Sequence, residues 1–159
     1  MTANDILRAF QFNQLTLTRN LEDVSQEESL AVPRGAENSI NWILGHIIGT
    51  RAQAIRFMGG EPHWNDDRID LYAPGKRERF EQEPMSLAEL KSALSDSLGI
   101  LEKTLETFAP RLDESTGRQP MFGDVETALH RTLFLACHEA YHAGQIGLTR
   151  RLLGKPGQF

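Results

Sequence analysis

The strongest constraint on the fold is the regular spacing of large apolar side chains between Ser86 and Phe108. They recur every three or four residues, which is typical of one face of an α-helix. The positions are Leu87, Leu90, Leu94, Leu98, Leu101, Leu105 and Phe108. Ser86 and Glu89 have the spacing of a capping box, and Pro110 cannot continue a helix because it lacks an N–H. The segment therefore predicts one amphipathic helix.

Three other segments share this periodicity. They run from about Asn4 to Val24, from about Ser39 to Met58, and from near Asp124 to Leu153. Asn38 or Ser39 can cap the second segment, and the glycine pair after Met58 can end it. Asp124 is a good N-cap for the last segment. Small residues at 136, 140 and 143 would let a neighbouring helix approach that segment closely.

Four long amphipathic helices predict an all-α protein, a four-helix bundle formed by one domain over residues 1–159. Residues 25–38 read as a polar loop, and residues 61–83 as a long crossover between the second and third helices. A long crossover means that at least one neighbouring pair of helices need not be antiparallel. Trp64 and Tyr72 indicate that the crossover packs on the bundle, and they are candidates for roofing a pocket.

Composition excludes several classes of function. The net charge of −5 argues against a nucleic-acid partner, because phosphate binding needs clustered lysine and arginine. No apolar run approaches a membrane span, and the N-terminus does not resemble a signal peptide. The single cysteine, Cys137, cannot form an intrachain disulfide, so a reducing compartment is compatible. We therefore expect a cytoplasmic protein without a membrane partner.

The last segment contains His138 and His142, four residues apart. On a helix such side chains lie about 40° apart around the axis and one turn along it, so both imidazoles can meet one ion. Their stripe of the helix is more polar than the alanine-rich stripe beside it, and buried polar groups need partners. A third imidazole, His46, lies in the second segment. Neither feature proves a metal site by itself. Two histidines four residues apart also occur in ordinary helices, and His46 could instead be a buried histidine with a structural role.

The string His138-Glu139-Ala140-Tyr141-His142 also matches the H-E-x-x-H pattern of zinc metalloproteases. That class needs a third protein ligand, normally downstream, and no His, Asp or Glu follows His142. The longer metzincin motif, H-E-x-x-H-x-x-G-x-x-H, does not match either. It requires Gly and His at the positions of Gln145 and Leu148. A third ligand has to come from upstream.

The sequence resembles the DinB-like (YfiT-like) family of metal-binding four-helix proteins over nearly its whole length. The resemblance rests on the Asn41-Trp42-Ile43-Leu44-Gly45-His46 string and on the pair at 138 and 142 with Ala143-Gly144-Gln145 after it. It implies that His46, His138 and His142 bind a divalent transition metal, often zinc or nickel. It also implies a homodimer, a small-molecule substrate and, in characterised relatives, transfer reactions that use low-molecular-weight thiols.

Three neutral imidazoles suit such an ion and leave a position open, which is a catalytic pattern. A thiol there would lose its proton and become nucleophilic. Because the resemblance implies thiol-dependent transfer, a thiol S-transferase is the leading hypothesis. A water there would instead have a pKa of about 7, which would suit a hydrolase. A metal-binding protein without turnover is the remaining alternative.

Other side chains near the pair are further candidates. Gln145 and Arg131 share its face and could contact a ligand, a water or a substrate carboxylate; helix packing and a surface salt bridge are the alternatives. Glu139 is a candidate catalytic base, a hydrogen-bond acceptor behind a ligand, or simply a solvated or interhelical partner. Cys137 is expected to be small buried filler. The remaining histidines, at 63 and 130, are expected on the surface or in loops.

Overall fold

The computed structural model describes residues 1–75, 84–120, 123 and 125–158, and this part of the chain is all-α. The described residues form six α-helices and one short 3-10 turn, and only an isolated bridge between Ser115 and Thr127 has β pairing. The helices are α1 (Ala3–Asn20), α2 (Gln26–Leu30), α3 (Ile40–Phe57), α4 (Asp66–Leu71), α5 (Leu87–Phe108) and α6 (Ala128–Leu152). None of the helices in these ranges is both long and apolar enough to cross a membrane.

The four long helices form a closed ring, in which α1 packs on α6 and α5, and α3 packs on α5 and α6. Helices α1 and α6 run parallel. The Asn13 amide donates to the carbonyl of Ala136, and Asn20, two turns later on α1, lies against Gly147 of α6. Buried apolar side chains from all four helices fill the ring.

Helices α3 and α5 are also parallel. Asn41 donates to the carbonyl of Met85 just before α5, Arg51 donates to the carbonyl of Leu94, and Gly60 lies close to Thr104. For α5 to run parallel to α3, the chain must first return from the end of α3 to the level of its beginning. The parallel packing therefore requires the long crossover. This confirms the expectation that one neighbouring pair need not be antiparallel.

The predicted caps of two helices are confirmed. The hydroxyl of Ser39, rather than Asn38, accepts the backbone N–H of Trp42, and Ser86 and Glu89 form the capping box of α5. Gly59 follows α3 with φ +81°, a conformation that glycine adopts without the clash that a Cβ would introduce. Local sequence chemistry therefore determines the ends of the second and third predicted helices.

Two predicted boundaries are wrong. Helix α6 begins at Ala128 with Thr127 as its N-cap, because Ala128 N–H and Thr116 N–H first bond across a short extended stretch to the carbonyls of Glu114 and Glu126. Asp124, the predicted cap, lies outside the described residues. Helix α1 ends at Asn20 rather than near Val24, although Leu21 and Val24 remain buried. Burial continues into a turn, so the apolar pattern extends past the helix.

The polar loop predicted at 25–38 contains helix α2. Ser25 and Glu28 form a capping box there, so the signal was present in the sequence and was missed. The crossover likewise contains α4, which Asn65 caps. Its last part, residues 76–83, lies outside the described residues.

The described part of the crossover packs on the bundle as predicted. Trp64 and Tyr72 are each 1% exposed, and their rings stack with centroids 5.8 Å apart. The Tyr72 hydroxyl accepts the N–H of Met85, and its ring lies directly over Gly45 of α3. Tyr72 therefore ties the crossover to α3 one residue before His46.

Candidate metal centre

Helices α3 and α6 bring the three predicted histidines together. His46 comes from α3, and His138 and His142 come from successive turns of α6. One potential ligand nitrogen from each ring lies within 4.8 Å of the others. The ring centroid of His46 is 5.3 Å from that of His138 and 4.8 Å from that of His142. The structure thus places residues from distant parts of the sequence around one point.

In His46 and His142, hydrogen bonds determine which ring nitrogen can bind a metal. His46 Nδ1 lies 3.0 Å from the carbonyl oxygen of Tyr72, which can only accept, so Nδ1 carries the proton. His142 Nδ1 lies 2.7 Å from Gln145 Oε1, while Gln145 Nε2 donates to the hydroxyl of Tyr141. His142 Nδ1 is therefore also a donor. In both rings the lone pair is left on Nε2, which is the arrangement found behind metal-ligating histidines.

The distance between the two imidazole nitrogens on α6 fits two ligands of one metal ion. The Nε2 atoms of His138 and His142 are 3.2 Å apart. Two nitrogens in a tetrahedral zinc site, with bonds near 2.0–2.1 Å, lie about 3.3 Å apart. His138 differs in one respect: its buried Nδ1 has no hydrogen-bond partner in the described part of the chain. Its ring packs instead against Phe134, with centroids 6.1 Å apart.

All three imidazoles are held in the neutral form that ligation requires. Burial lowers the pKa of His46, against a smaller raising effect of the hydrogen bond to Tyr72. Burial also lowers the pKa of His138, helped by the charges of His46 and Arg131. For His142, burial lowers the pKa to about 4. Neutral nitrogen lone pairs are thus available at neutral pH.

A cavity of about 250 Å³ opens beside His46 and His138. Its walls combine apolar side chains with polar ones from α3, α4 and α6. Those that bear on its chemistry are Thr50, Gln53, Ile69, Asp70, Arg131 and Phe134. The Arg131 guanidinium carbon lies 5.5 Å from the centre of the Phe134 ring, a cation–π geometry that positions it at the wall. Arg131 thus lies where the sequence placed it, on the side of the pair.

Glu139 points away from this cavity into the ring of helices. It is 1% exposed, and both of its oxygens accept from Arg51, from Nε and Nη2, at 2.7 Å each. Arg51 Nη1 also donates to Gln14 of α1 and to Leu94 and Ser97 of α5. A single buried guanidinium therefore contacts all of the other three long helices. This placement matches the interhelical alternative for Glu139.

Sequence reasoning missed Arg51 and the supporting roles of two aromatic residues. Tyr72 supplies the carbonyl behind His46, and the Trp42 ring stacks on the imidazole of His46, with centroids 5.0 Å apart and planes 6° apart. The spacing of Trp42 and His46, one helical turn, was visible in the sequence. Nothing local signalled Tyr72, because its contact spans 26 residues of chain.

Three minor predictions can be compared with the structure. Cys137 is exposed, so the prediction of buried filler is wrong. It lies on the side of α6 that also exposes Ala140, Tyr141 and Gly144, three, four and seven residues further along the helix. His63 and His130 are exposed, as predicted, and they lie apart from the cluster.

The ring of helices and the three converging imidazoles define an all-α protein with a candidate metal centre between two antiparallel helices. Its sequence matches the DinB superfamily over residues 9–146, so the chain belongs to that superfamily. The fold is also similar to a crystal structure of a protein from Streptococcus pneumoniae, a structural-genomics target. The TM-score is 0.70 at 7% identity, over 96% of this chain and 92% of that one. No curated protein matches the sequence.

The fit of Gly45 under Tyr72 leads to a prediction about the centre. A Cβ at Gly45 would lie 2.3 Å from the Tyr72 ring, so Gly45→Ala must displace Tyr72 and, with it, the carbonyl behind His46. We expect a loss of about 1–3 kcal/mol in unfolding free energy, measured by urea denaturation, and weaker metal binding. Gly49→Ala is the control, because its nearest contact would be an ordinary 3.7 Å and helix propensity favours alanine by about 1 kcal/mol. Equal effects of the two substitutions would contradict the prediction.

Gln145 provides a second prediction. Gln145→Leu removes the acceptor of the His142 Nδ1 proton, so we expect metal affinity to fall about 10- to 100-fold with the helical content unchanged. Competition titration against a chromogenic chelator measures the affinity. Gln145→Glu keeps an acceptor at this position and should retain or increase affinity, because a carboxylate raises the basicity of the ligand. Wild-type affinity in the leucine variant would show that Gln145 does not support the ligand.

Proposed function

We propose that this chain binds one divalent transition metal ion, zinc or nickel, through the Nε2 atoms of His46, His138 and His142. The observation that carries the proposal is the pair of oxygens that lie behind two of the rings. His46 Nδ1 is 3.0 Å from the carbonyl oxygen of Tyr72 and His142 Nδ1 is 2.7 Å from Gln145 Oε1, so the protons belong on Nδ1 and the Nε2 lone pairs are left for a cation. We propose further that residues 1–159 act as one cytoplasmic four-helix-bundle domain, with the crossover of residues 61–83 joining its second and third long helices.

We propose that the protein is an enzyme, a thiol S-transferase, rather than a store for metal. With three protein ligands, a bound ion keeps one position open and favours the deprotonated form of a thiol there. What supports this reading is the cavity, which reaches His46 and His138 and offers room for a small thiol and an acceptor.

The surrounding side chains have separable roles in this proposal. Arg131 would bind an anionic group of the substrate at the cavity wall, held in place by its contact with Phe134. Ile69, Leu135 and Phe134 would exclude water from the apolar part of the substrate. Glu139 has both oxygens occupied by Arg51, so its contribution in this arrangement is to the packing of α3 on α6.

The metal assay comes first. Purified protein is analysed for transition metals by mass spectrometry, as isolated and after chelation and reloading with Zn²⁺ or Ni²⁺. One equivalent per chain is expected, and less than about a tenth after reloading would refute the metal site.

Turnover is a separate test. The metal-loaded protein is assayed with a panel of low-molecular-weight thiols against chloro-aromatic and epoxide acceptors, with the metal-free protein as control. Thiol consumption that depends on the metal supports the transferase. Full metal occupancy without any turnover would support the non-catalytic alternative, and metal-dependent cleavage of esters or amides without thiol would support the hydrolase that uses activated water.

A further inference from the structure

Arg131 is a cation at the wall of the cavity that has no anion to pair with. The residue is half-buried, and its guanidinium carbon lies 5.5 Å from the centre of the Phe134 ring. In the part of the chain that the structure describes, no carboxylate forms an ion pair with Arg131, and no oxygen accepts a hydrogen bond from its guanidinium. Arg51 and Arg150, which are fully buried, by contrast each donate several hydrogen bonds. The donors of Arg131 are therefore available to a ligand in the cavity.

The charges of the cavity wall limit the charge of that ligand. Among the residues that line the cavity, Arg131 is the only arginine or lysine, and Asp70 is the only acidic residue. A dianion such as a phosphonate would leave one negative charge without a counter-charge at this end of the cavity and would be repelled by Asp70. A carboxylate carries a single charge, and its two oxygens match the planar fork of one guanidinium. The wall therefore favours a monocarboxylate.

The rest of the cavity fits an apolar body of limited length. Ile69 lines it from α4 and Leu135 lines it from α6, and such walls with a few polar groups are typical of small-molecule sites. Arg131 precedes His138 by seven residues, which is about 10 Å along the helix axis. Its contact with Phe134, three residues closer to His138, brings the guanidinium part of the way back. The remaining gap is comparable to the length of one six-membered ring with its carboxylate.

We infer that the cavity binds a small monocarboxylic acid, with the carboxylate on Arg131 and the apolar body directed towards His46 and His138. In the thiol transfer proposed above, on which this role rests, the acid is the acceptor substrate. Arg131 then determines specificity, because it selects carboxylic acids over neutral analogues and over phosphonates. It also places the far end of the acid beside the imidazoles. The acceptors in the turnover assay are thereby narrowed to those that carry one carboxylate.

The test measures the binding of benzoate to protein treated with EDTA, so it requires neither a metal nor a thiol. Ligand-detected NMR titration compares benzoate with benzamide, which lacks the charge, and with phenylphosphonate at a pH where it carries two charges. Benzoate is expected to bind with a Kd of about 1 mM or tighter, and both analogues at least about tenfold more weakly. Absence of saturable benzoate binding, or tighter binding of phenylphosphonate, would overturn the inference.

Variants of Arg131 locate the carboxylate. Arg131→Gln should weaken benzoate binding at least about tenfold and leave benzamide binding unchanged, with the helical circular dichroism retained. Arg131→Lys keeps the charge but loses the planar fork, so its benzoate affinity should lie between those of the wild type and Arg131→Gln. Arg8→Gln is the matched control, because Arg8 is exposed on α1 and does not line the cavity. Equal benzoate affinity in the wild type and Arg131→Gln would contradict the assignment.

Repeating the titration with zinc-loaded protein separates this inference from the proposed metal site and from thiol transfer. The dependence of benzoate binding on Arg131 should persist. Binding that appears only with zinc and is unaffected by Arg131→Gln would mean that the ion holds the carboxylate, and the inference would be overturned. Benzoate binding that depends on Arg131, in a protein without any thiol transfer, would support the carboxylate site and refute the transferase alone.

Discussion

Replacement of His142 by alanine is expected to leave the purified protein with less than about a tenth of an equivalent of transition metal, where the wild type holds about one. Loss of a hydrogen-bond partner behind a ligand already costs about 10- to 100-fold in affinity, and loss of the ligand itself costs more. His142 is the ring whose Nε2 lies 3.2 Å from that of His138 and whose Nδ1 is fixed by Gln145. His46→Ala should have the same effect, although it lies on the other helix.

The fold should survive this change. The imidazole of His142 packs against the other two imidazoles and the Tyr141 ring, so its removal takes little apolar packing from the core. Circular dichroism should therefore keep its helical signal, and His63→Ala, an exposed histidine outside the cluster, should keep both the signal and the metal. Unfolding of His142→Ala would mean that the ion holds the fold together. Full occupancy in that variant would remove His142 from the site.

Breaking the buried pair of Arg51 and Glu139 is expected to have the largest effect on stability. Glu139→Leu leaves the Arg51 guanidinium buried at 1% exposure without its carboxylate. Such an orphaned charge costs about 3–5 kcal/mol in unfolding free energy. For a domain of this size that is a fall in melting temperature of roughly 10 °C. Thermal unfolding of the metal-free protein measures it without a contribution from a bound ion.

The double variant Arg51→Met with Glu139→Leu should be more stable than Glu139→Leu alone, because no buried charge is left unpaired. Arg56 pairs with Asp66 on the surface and is the control from the same helix, since an exposed ion pair contributes less than about 1 kcal/mol. If Glu139→Leu cost no more than Arg56→Ala, the pair would not stabilise the fold. A double variant as unstable as the single one would place the cost in lost packing rather than in charge.

Much of this fold could be predicted from local sequence. The spacing of apolar residues predicted the four long helices. The hydroxyl side chains that precede two of them predicted the caps at Ser39 and Ser86. The errors have a common physical origin, because apolar periodicity reports burial and not backbone hydrogen bonding. Leu21 and Val24 are buried after α1 has ended, and the chain before α6 is extended because its N–H groups bond across a turn.

The candidate site could be predicted only in part. The pair on α6 is visible as spacing, whereas the approach of His46 depended on the resemblance, since no local pattern reports a contact across 92 residues. The role of Arg51 could not be predicted, because one arginine in an apolar helix does not indicate which carboxylate it meets. The sequence offered Glu139 as a base, and the structure places it on the Arg51 side of α6.

The position of Arg51 has a consequence for the cooperativity of the fold. Its guanidinium reaches Gln14, Leu94 and Glu139 together only when α1, α5 and α6 have all docked against α3. Detachment of α1 or α5 from the bundle would therefore also loosen the attachment of Glu139, which is the neighbour of His138 in the sequence.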